Sequence, residues 1–404
     1  MVRLTAHRIG INAINENEMK QFRRHITILT GILLMLLALC VSCSSQDEAQ
    51  ETVSKLNIHI YGPGDMNSTR ADAEGVGTPI DPLKEEQQVN SLQLWVYNNA
   101  DSYLLGSLEL SGTDLDNLNN NKEDTYSIDL PSAFANRGNP VVDVYILANV
   151  KAKNCGVEKG PLSSLEDLED LTIDPAYFRP SVAVPAEGLP MSGVLRNQNL
   201  IQKNDVFHLN DAKIQLERAV SKIRFVFSSL KGEKDIYIDK ITLDQQVLNK
   251  REYMFLTDAP YHVGNEYTKE SIELYKDESL SPSAVVQCED PTAYAFKSSM
   301  DVSDYVKMIE EDVEVGKNLT KLPLLYLRES DKKLKGKIDF YLYDGNEKKT
   351  FSAPFSMVSG DFRRNQTWIV YAYYIGSTKV NVSTVQVTDW QEGEPLEGQE
   401  THNW

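Results

Sequence analysis

The sequence predicts an all-β chain with a minor helix, arranged as two β-sandwich domains in tandem. Three observations predict it. Apolar and polar residues alternate with period two in VNSLQLWVYN (89–98), YLLGSLEL (103–110), TYSIDL (125–130), VVDVYILANV (141–150), DIYIDKITL (235–243) and KIDFYLYDG (337–345), the mark of strands. Asn, Gly, Asp and Pro clusters such as DLDNLNNNKED and NRGNP separate these runs, as turns separate sandwich strands. No repeating strand-helix-strand alternation is present, which argues against a parallel nucleotide-binding sheet. A length of 404 residues holds two domains that each bury a core.

The chain opens with MVRLTAHRIGINAINENE, which has no targeting pattern, and Met19 reads as the start of an export signal. Lys20, Arg23 and Arg24 form its basic region, Ile26 to Leu39 its apolar stretch, and small residues lead to a cysteine. That stretch is shorter than the roughly 18 apolar residues of a spanning helix. Val41-Ser42-Cys43 followed by SSQDE resembles a bacterial lipoprotein cleavage box, with Cys43 becoming the acylated N-terminus; Cys40 is the rival position. Residues 1–42 are then a removed extension and signal peptide. Next comes KLNIHIYG, with Leu56, Ile58 and Ile60 in one phase, and then NSTRADAEG, where Arg70 is the only basic residue between Lys55 and Lys84. Its Gly, Pro, Asp, Asn and Ser neighbours favour an exposed turn, and such turns are where proteases cut.

Farther on, SSLEDLEDL (163–171) reads as a short helix capped by Ser164, with Leu165, Leu168 and Leu171 on one face. It is the single segment between strands that reads well as helix. In DAKIQLERAVSKIRFVF (211–227), Ile214 and Leu216 alternate in one phase and Ile223, Phe225 and Phe227 in the other. A phase switch between Arg218 and Ser221 flips the buried face, so two successive strands are expected. The domain boundary is placed near Asn210, giving domains over 71–209 and 210–404. NQTWIVYAYYIG (365–376) is apolar on both parities, as a strand covered on both faces should be. KVNVSTVQVTDW (379–390) alternates again, and the polar acidic tail QEGEPLEGQETHNW (391–404) should not form a buried strand.

Charge and motifs exclude several functions. The chain carries 41 Lys+Arg against 59 Asp+Glu, a net charge of −18, which argues against nucleic acid and anionic lipid surfaces as partners. Beyond the leader, His59, His208, His262 and His402 are scattered, and no Cys or His spacing suggests a metal or other cofactor. No GxSxG elbow, phosphate loop or GxGxxG follows a strand. Asp114, Asp116 and Asn120 fail as a calcium loop, because Asn119 stands where glycine is needed and Thr125 where glutamate is. A non-enzymatic protein is expected. Cys155 and Cys288 stand far apart in the chain, so two free or buried thiols are expected over a bridge, although an exported protein permits one.

These pieces together resemble the Bacteroidales fimbrillin family, the subunits of type V pili. The matching residues are the Cys43 lipoprotein box, a first strand before Thr69-Arg70-Ala71, the LERAVSKIRFVF strand pair, LPMSG (189–193) and the closing VQVTDW. The resemblance implies two transthyretin-like sandwiches and outer-membrane anchoring through acylated Cys43. It also implies cleavage of Arg70–Ala71 by an arginine-specific protease, releasing propeptide 43–70 with its strand. The opened groove would accept a strand from another fimbrial subunit. The polar tail departs from a stalk subunit's donor strand, so a tip or accessory position is expected, with adhesion to a host or bacterial surface receptor. The alternative reading is a glycan-binding surface lipoprotein that keeps residues 43–70.

Overall fold

Alternation of Val, Ile, Leu and Tyr with polar residues produces extended chain nearly throughout the computed structural model, which describes residues 53–63, 84–131, 134, 140–150, 164–173, 184–185, 188–203, 206–209, 213–256, 262–357, 362–376 and 380–387. In the first half the strands are β1 (Val53–Tyr61), β2 (Ser91–Asn98), β3 (Leu104–Ser111), β4 (Glu123–Pro131), β5 (Val141–Ala148), β6 (Thr172–Ile173), β7 (Met191–Lys203), β8 (Val206–Leu209), β9 (Ile214–Gln215) and β10 (Glu217–Arg218). All but β6 join one nine-stranded sheet in the order β3-β2-β5-β7-β8-β1-β4, with β10 on β7 and β9 on β1.

β7 explains how one sheet encloses a core. Its first part, from Met191 to Asn199, pairs with β5, and its last part, from Leu200 to Lys203, pairs with β8, so the sheet turns a corner along it. The end strands β3 and β4 meet face to face. At Gly106 of β3 an added Cβ would lie 2.7 Å from the Asp129 carbonyl and 3.2 Å from Ile128, so the close approach requires glycine. Inside lie Leu56, Ile58 and Ile60 with Leu92, Leu94, Val96, Val144, Ile146 and Ile214.

The second half contains β11 (Ser221–Leu230), β12 (Ile236–Leu243), β13 (Glu252–Tyr253), β14 (Ile272–Lys276), β15 (Gln287–Cys288), β16 (Thr320–Lys321), β17 (Leu325–Leu327), β18 (Lys335–Asp344), β19 (Glu347–Ser356), β20 (Thr367–Tyr374) and β21 (Val380–Val387). The order β15-β11-β20-β21, with β16 and β17 on β11, makes one sheet, and β14-β12-β18-β19 the other. Ile223, Phe225, Phe227, Trp368 and Val370 of the first pack against Ile238, Ile338, Phe340 and Phe355 of the second. Edge-to-face rings lock the layers, Phe225 to Phe355 at 5.5 Å and Phe227 to Phe340 at 5.9 Å.

Four α-helices are described, α1 (Lys84–Gln87), α2 (Asp116–Asn121), α3 (Leu165–Glu169) and α4 (Val302–Val315). In α3 the Ser164 hydroxyl accepts from the Asp167 amide as expected, and Leu168 and Leu171 are buried. The fourteen-residue α4 corrects the expectation of a single readable helix. Val302, Tyr305, Val306, Ile309 and Val313 recur at helical spacing and cover the back of β20. Asp301 caps α4 by accepting from the Ser303 amide at 2.7 Å. Its β-branched and aromatic contacts have weak helix propensity, which hid the period in a β-rich context. With α4 behind it, β20 is buried on both faces, as its sequence demanded. The run DLDNLNNNKED folds into a 3-10 turn and α2, with Leu115 and Leu118 buried, so it is helix and no cation loop.

Between the halves, the segment from Glu252 to Leu256 reaches back to the first. β13 pairs with β6, and Met254 and Phe255 pack on Trp95, Tyr97 and Tyr145. Beneath it Arg364 donates to the Met254 carbonyl at 2.7 Å and to Glu329, and Glu252 lies 3.5 Å away.

Candidate strand groove

The first strand is the site candidate. β1 reads VSKLNIHIY, and its inward residues Leu56, Ile58 and Ile60 are each 0 % exposed. Burying such side chains stabilises the fold by roughly 1.5–3 kcal/mol each. On one edge β1 runs antiparallel to β4 from Val53 opposite Pro131 to Tyr61 opposite Glu123. On the other it runs parallel to β8, from Lys55 opposite Val206 to Asn57 opposite His208, and to β9, at Ile60 and Tyr61 opposite Ile214 and Gln215. β1 is therefore an interior strand, and its withdrawal would leave a slot with unpaired backbone on two walls.

Its outer face is polar and partly open. The Ser127 hydroxyl donates to Asn57 Oδ1 at 2.5 Å, His59 contacts Thr125 Oγ1 at 2.8 Å and Glu123 Oε2 at 3.1 Å, and the Lys213 ammonium lies 4.9 Å from the Tyr61 ring centre. Such half-exposed contacts contribute little individually. At its end the Gly62 amide donates to the Lys122 carbonyl at 2.7 Å and the Leu216 amide to the Tyr61 carbonyl at 3.0 Å. Tyr126 on the β4 wall has its phenol pushed upward by burial first, then by Asp124.

The groove accounts for one motif noticed in sequence. An added Cβ at Gly193 of LPMSG would meet Ile214 at 2.7 Å and the Gln215 carbonyl at 3.0 Å, so glycine there lets β9 approach β7. The LERAVSKIRFVF stretch divides as its phases require, into β10 and β11, with Ala219 and Val220 between. What the sequence did not reveal is the parallel wall of β8 and β9, because parallel pairing is set by distant chain. Cys43, Arg70, Ala71 and Cys155 lie outside the described residues, as does the tail after Val387. Cys288 is a free, buried cysteine whose thiol is pushed up by burial. Among the described residues no cluster of His, Cys, Asp and Glu could hold a metal ion. Trp95 and Trp368 are core residues.

Comparison with known proteins fits this architecture. The family model described as major fimbrial subunit protein (FimA) matches residues 54–239, from the start of β1 into β12. Among solved structures, the chain is similar to a candidate cell adhesion protein from Parabacteroides distasonis, with 14 % identity, a TM-score of 0.52, and coverage of 87 % of this chain and 96 % of that one. It is also similar to the tip fimbrial protein Mfa3 from Porphyromonas gingivalis with C-terminal truncation, with 12 % identity, a TM-score of 0.48, and coverage of 84 % and 100 %. At such identity the Parabacteroides distasonis likeness speaks to fold alone. No curated protein matches the chain. The match begins at the groove strand, so residues 54–239, from β1 into β12, form a region of the fimbrillin type, similar to major fimbrial subunits.

Proposed function

We propose that the protein is an adhesive fimbrial subunit of the tip, exported as a lipoprotein acylated on Cys43 and activated by cleavage of Arg70–Ala71. Release of residues 43–70 withdraws β1, and a strand from a neighbouring subunit takes its place. One observation carries this reading: β1 fills an interior slot with three fully buried aliphatic residues, and Arg70 follows it nine positions along the sequence. A refilled slot recovers both the apolar burial and the backbone pairs, which drives strand addition. The tip position is favoured by the other end of the chain. β21 pairs with β20 from Val380 to Val387, and Val380 and Val382 sit in the core of its own half, so donating it would unmake that core. Two tandem transthyretin-like sandwiches, with β9 and β10 closing the first and β11 opening the second, complete the reading, and its partners are an arginine-specific protease, outer-membrane lipid before processing, and a surface receptor.

The mature N-terminus, taken from intact cells by mass and terminal sequencing, tests it. Ala71 is the expected terminus, and Arg70→Ala should leave acylated Cys43 with residues 43–70 in place. Finding acylated Cys43 in the assembled wild-type protein overturns the proposal.

A further inference from the structure

We propose that Glu86 protects the chain retained after processing: it pins the segment just past Lys84, so that the Lys84–Glu85 bond, which the arginine-specific protease does not recognise, is also withheld from lysine-cutting proteases. This rests on the cleavage reading above and concerns the end that stays behind. α1 spans only Lys84 to Gln87, and a helix of one turn does not hold itself. Its Glu85 is exposed, so depth alone does not hide the bond. The hold comes from Glu86, which is 0 % exposed. One carboxylate oxygen meets the Lys222 ammonium at 3.0 Å and the other accepts from the Tyr326 hydroxyl at 2.5 Å. The Glu86 carbonyl accepts from Arg218 Nε at 3.0 Å, and Arg218 also donates to Asn365 Oδ1 at 3.2 Å.

Two stretches of chain, β11 and β17, thus hold the Glu86 side chain, while β10 holds its carbonyl through Arg218, which the turn before β20 braces at Asn365. Burial lowers the Lys222 ammonium to about 8, against the pull of Glu86, which marks the site as dry. Extracting Glu86 would leave that cation in a dry site without its counter-charge, the most costly way to break a buried pair. Beside it Lys122 donates from its ammonium to Gln87 Oε1 at 2.6 Å while its carbonyl holds the Gly62 amide. The same lysine therefore touches the end of the departing strand and the start of the retained chain.

A protease must draw residues on both sides of its bond into extended form, and Glu86 is the second residue past Lys84. Cutting there requires the cluster to open first, whereas Arg70 lies upstream of the pin. The local opening free energy then sets the cleavage rate.

The test is limited digestion of the exported full-length chain with trypsin, which cuts after both Arg and Lys, followed by sequencing of the new N-termini over time. Wild type, Glu86→Ala and Tyr326→Phe are compared, with a thermal melt of each by circular dichroism. The wild type should yield Ala71 and persist. In Glu86→Ala the Glu85 terminus should appear about tenfold faster or more, and Tyr326→Phe, which keeps the ion pair, should fall between. Equal rates of the Glu85 terminus in folded wild type and Glu86→Ala overturn the inference. Should Glu86→Ala not fold, an unchanged rate in Tyr326→Phe overturns it. Absence of Ala71 in the wild type sinks the processing reading alone, because the Lys84–Glu85 rates are still compared.

Discussion

Two strands with the same alternating character, β1 and β21, occupy opposite situations. β1 is flanked by partners on both edges, β4 on one and β8 with β9 on the other, while its outer face, Asn57, His59 and Tyr61, stays partly open. β21 has β20 as its one strand partner among the described residues. Its two faces are nevertheless closed, Val380 and Val382 inward and Asn381 and Ser383 buried on the side where α4 lies. An interior strand with an open face can lift outward and leaves a two-walled slot. A strand covered on both faces cannot lift without moving a helix. Sheet position and face coverage, more than hydrophobic alternation, thus separate a replaceable strand from a permanent one.

The largest effect should come from breaking the face rule within β1. Ile58→Asp places a charge at a fully buried position without a counter-ion and should cost about 3–5 kcal/mol or more in the uncleaved chain. Asn57→Asp, one residue away on the half-exposed face and still able to accept from Ser127, should change stability by about 0.5 kcal/mol or less. Urea midpoints of the two variants measure the contrast, and equal losses would contradict the assigned register of β1. After removal of residues 43–70 both substitutions should become silent, because the altered residue has left.

A smaller effect should mark β21. Val382→Ala removes buried aliphatic volume opposite Ala372 in the core of the second half and should cost about 1–2 kcal/mol. That cost should persist in cleaved and uncleaved chains alike, measured again by urea. If it vanished on cleavage, β21 would be the mobile strand and the contrast with β1 would be reversed.

Much of this was legible beforehand for a physical reason. Period-two alternation marks β1 to β5, β12, β18 and β21, because one face of a sheet must be dry, and the Ser164 cap and the phase switch between Arg218 and Ser221 are local signals of the same kind. The slot itself was half legible: Leu56, Ile58 and Ile60 announced a buried strand, but pairing with β8 and β9 depends on residues far along the chain. Glu86 was hidden, since an acid in LKEEQQ reads as solvated surface. The usable hint lay at the other end, where Arg218 and Lys222 flank the apolar Ala219-Val220 step beside the apolar run of β11 and, once buried there, require a counter-charge. The helix α4 was readable from its spacing and was masked by Val and Ile, which favour strands elsewhere.

The segment joining the two halves offers the smallest effect and a control, since it should not discriminate β1 from β21. Glu252 and Glu329 are fully buried with Arg364 between them, and Arg328 is nearby in charge. Burial first, and then the Glu329 carboxylate, hold the Glu252 carboxyl well above the ordinary value of 4.5, with Arg364 opposing. A carboxyl whose folded value is raised contributes stability that is complete below the unfolded value and is lost as pH rises through the folded one. Glu252→Gln keeps the shape and does not titrate. Its melting temperature should therefore match that of the wild type below pH 4.5 and gain on it steadily as pH rises above that value. The gain should be the same before and after residues 43–70 are removed, because the cluster joins β13 to the turn before β20 and touches neither strand. A pH response confined to one of the two forms would mean that the joint senses the slot, and the two halves would then be coupled through Met254 and Phe255.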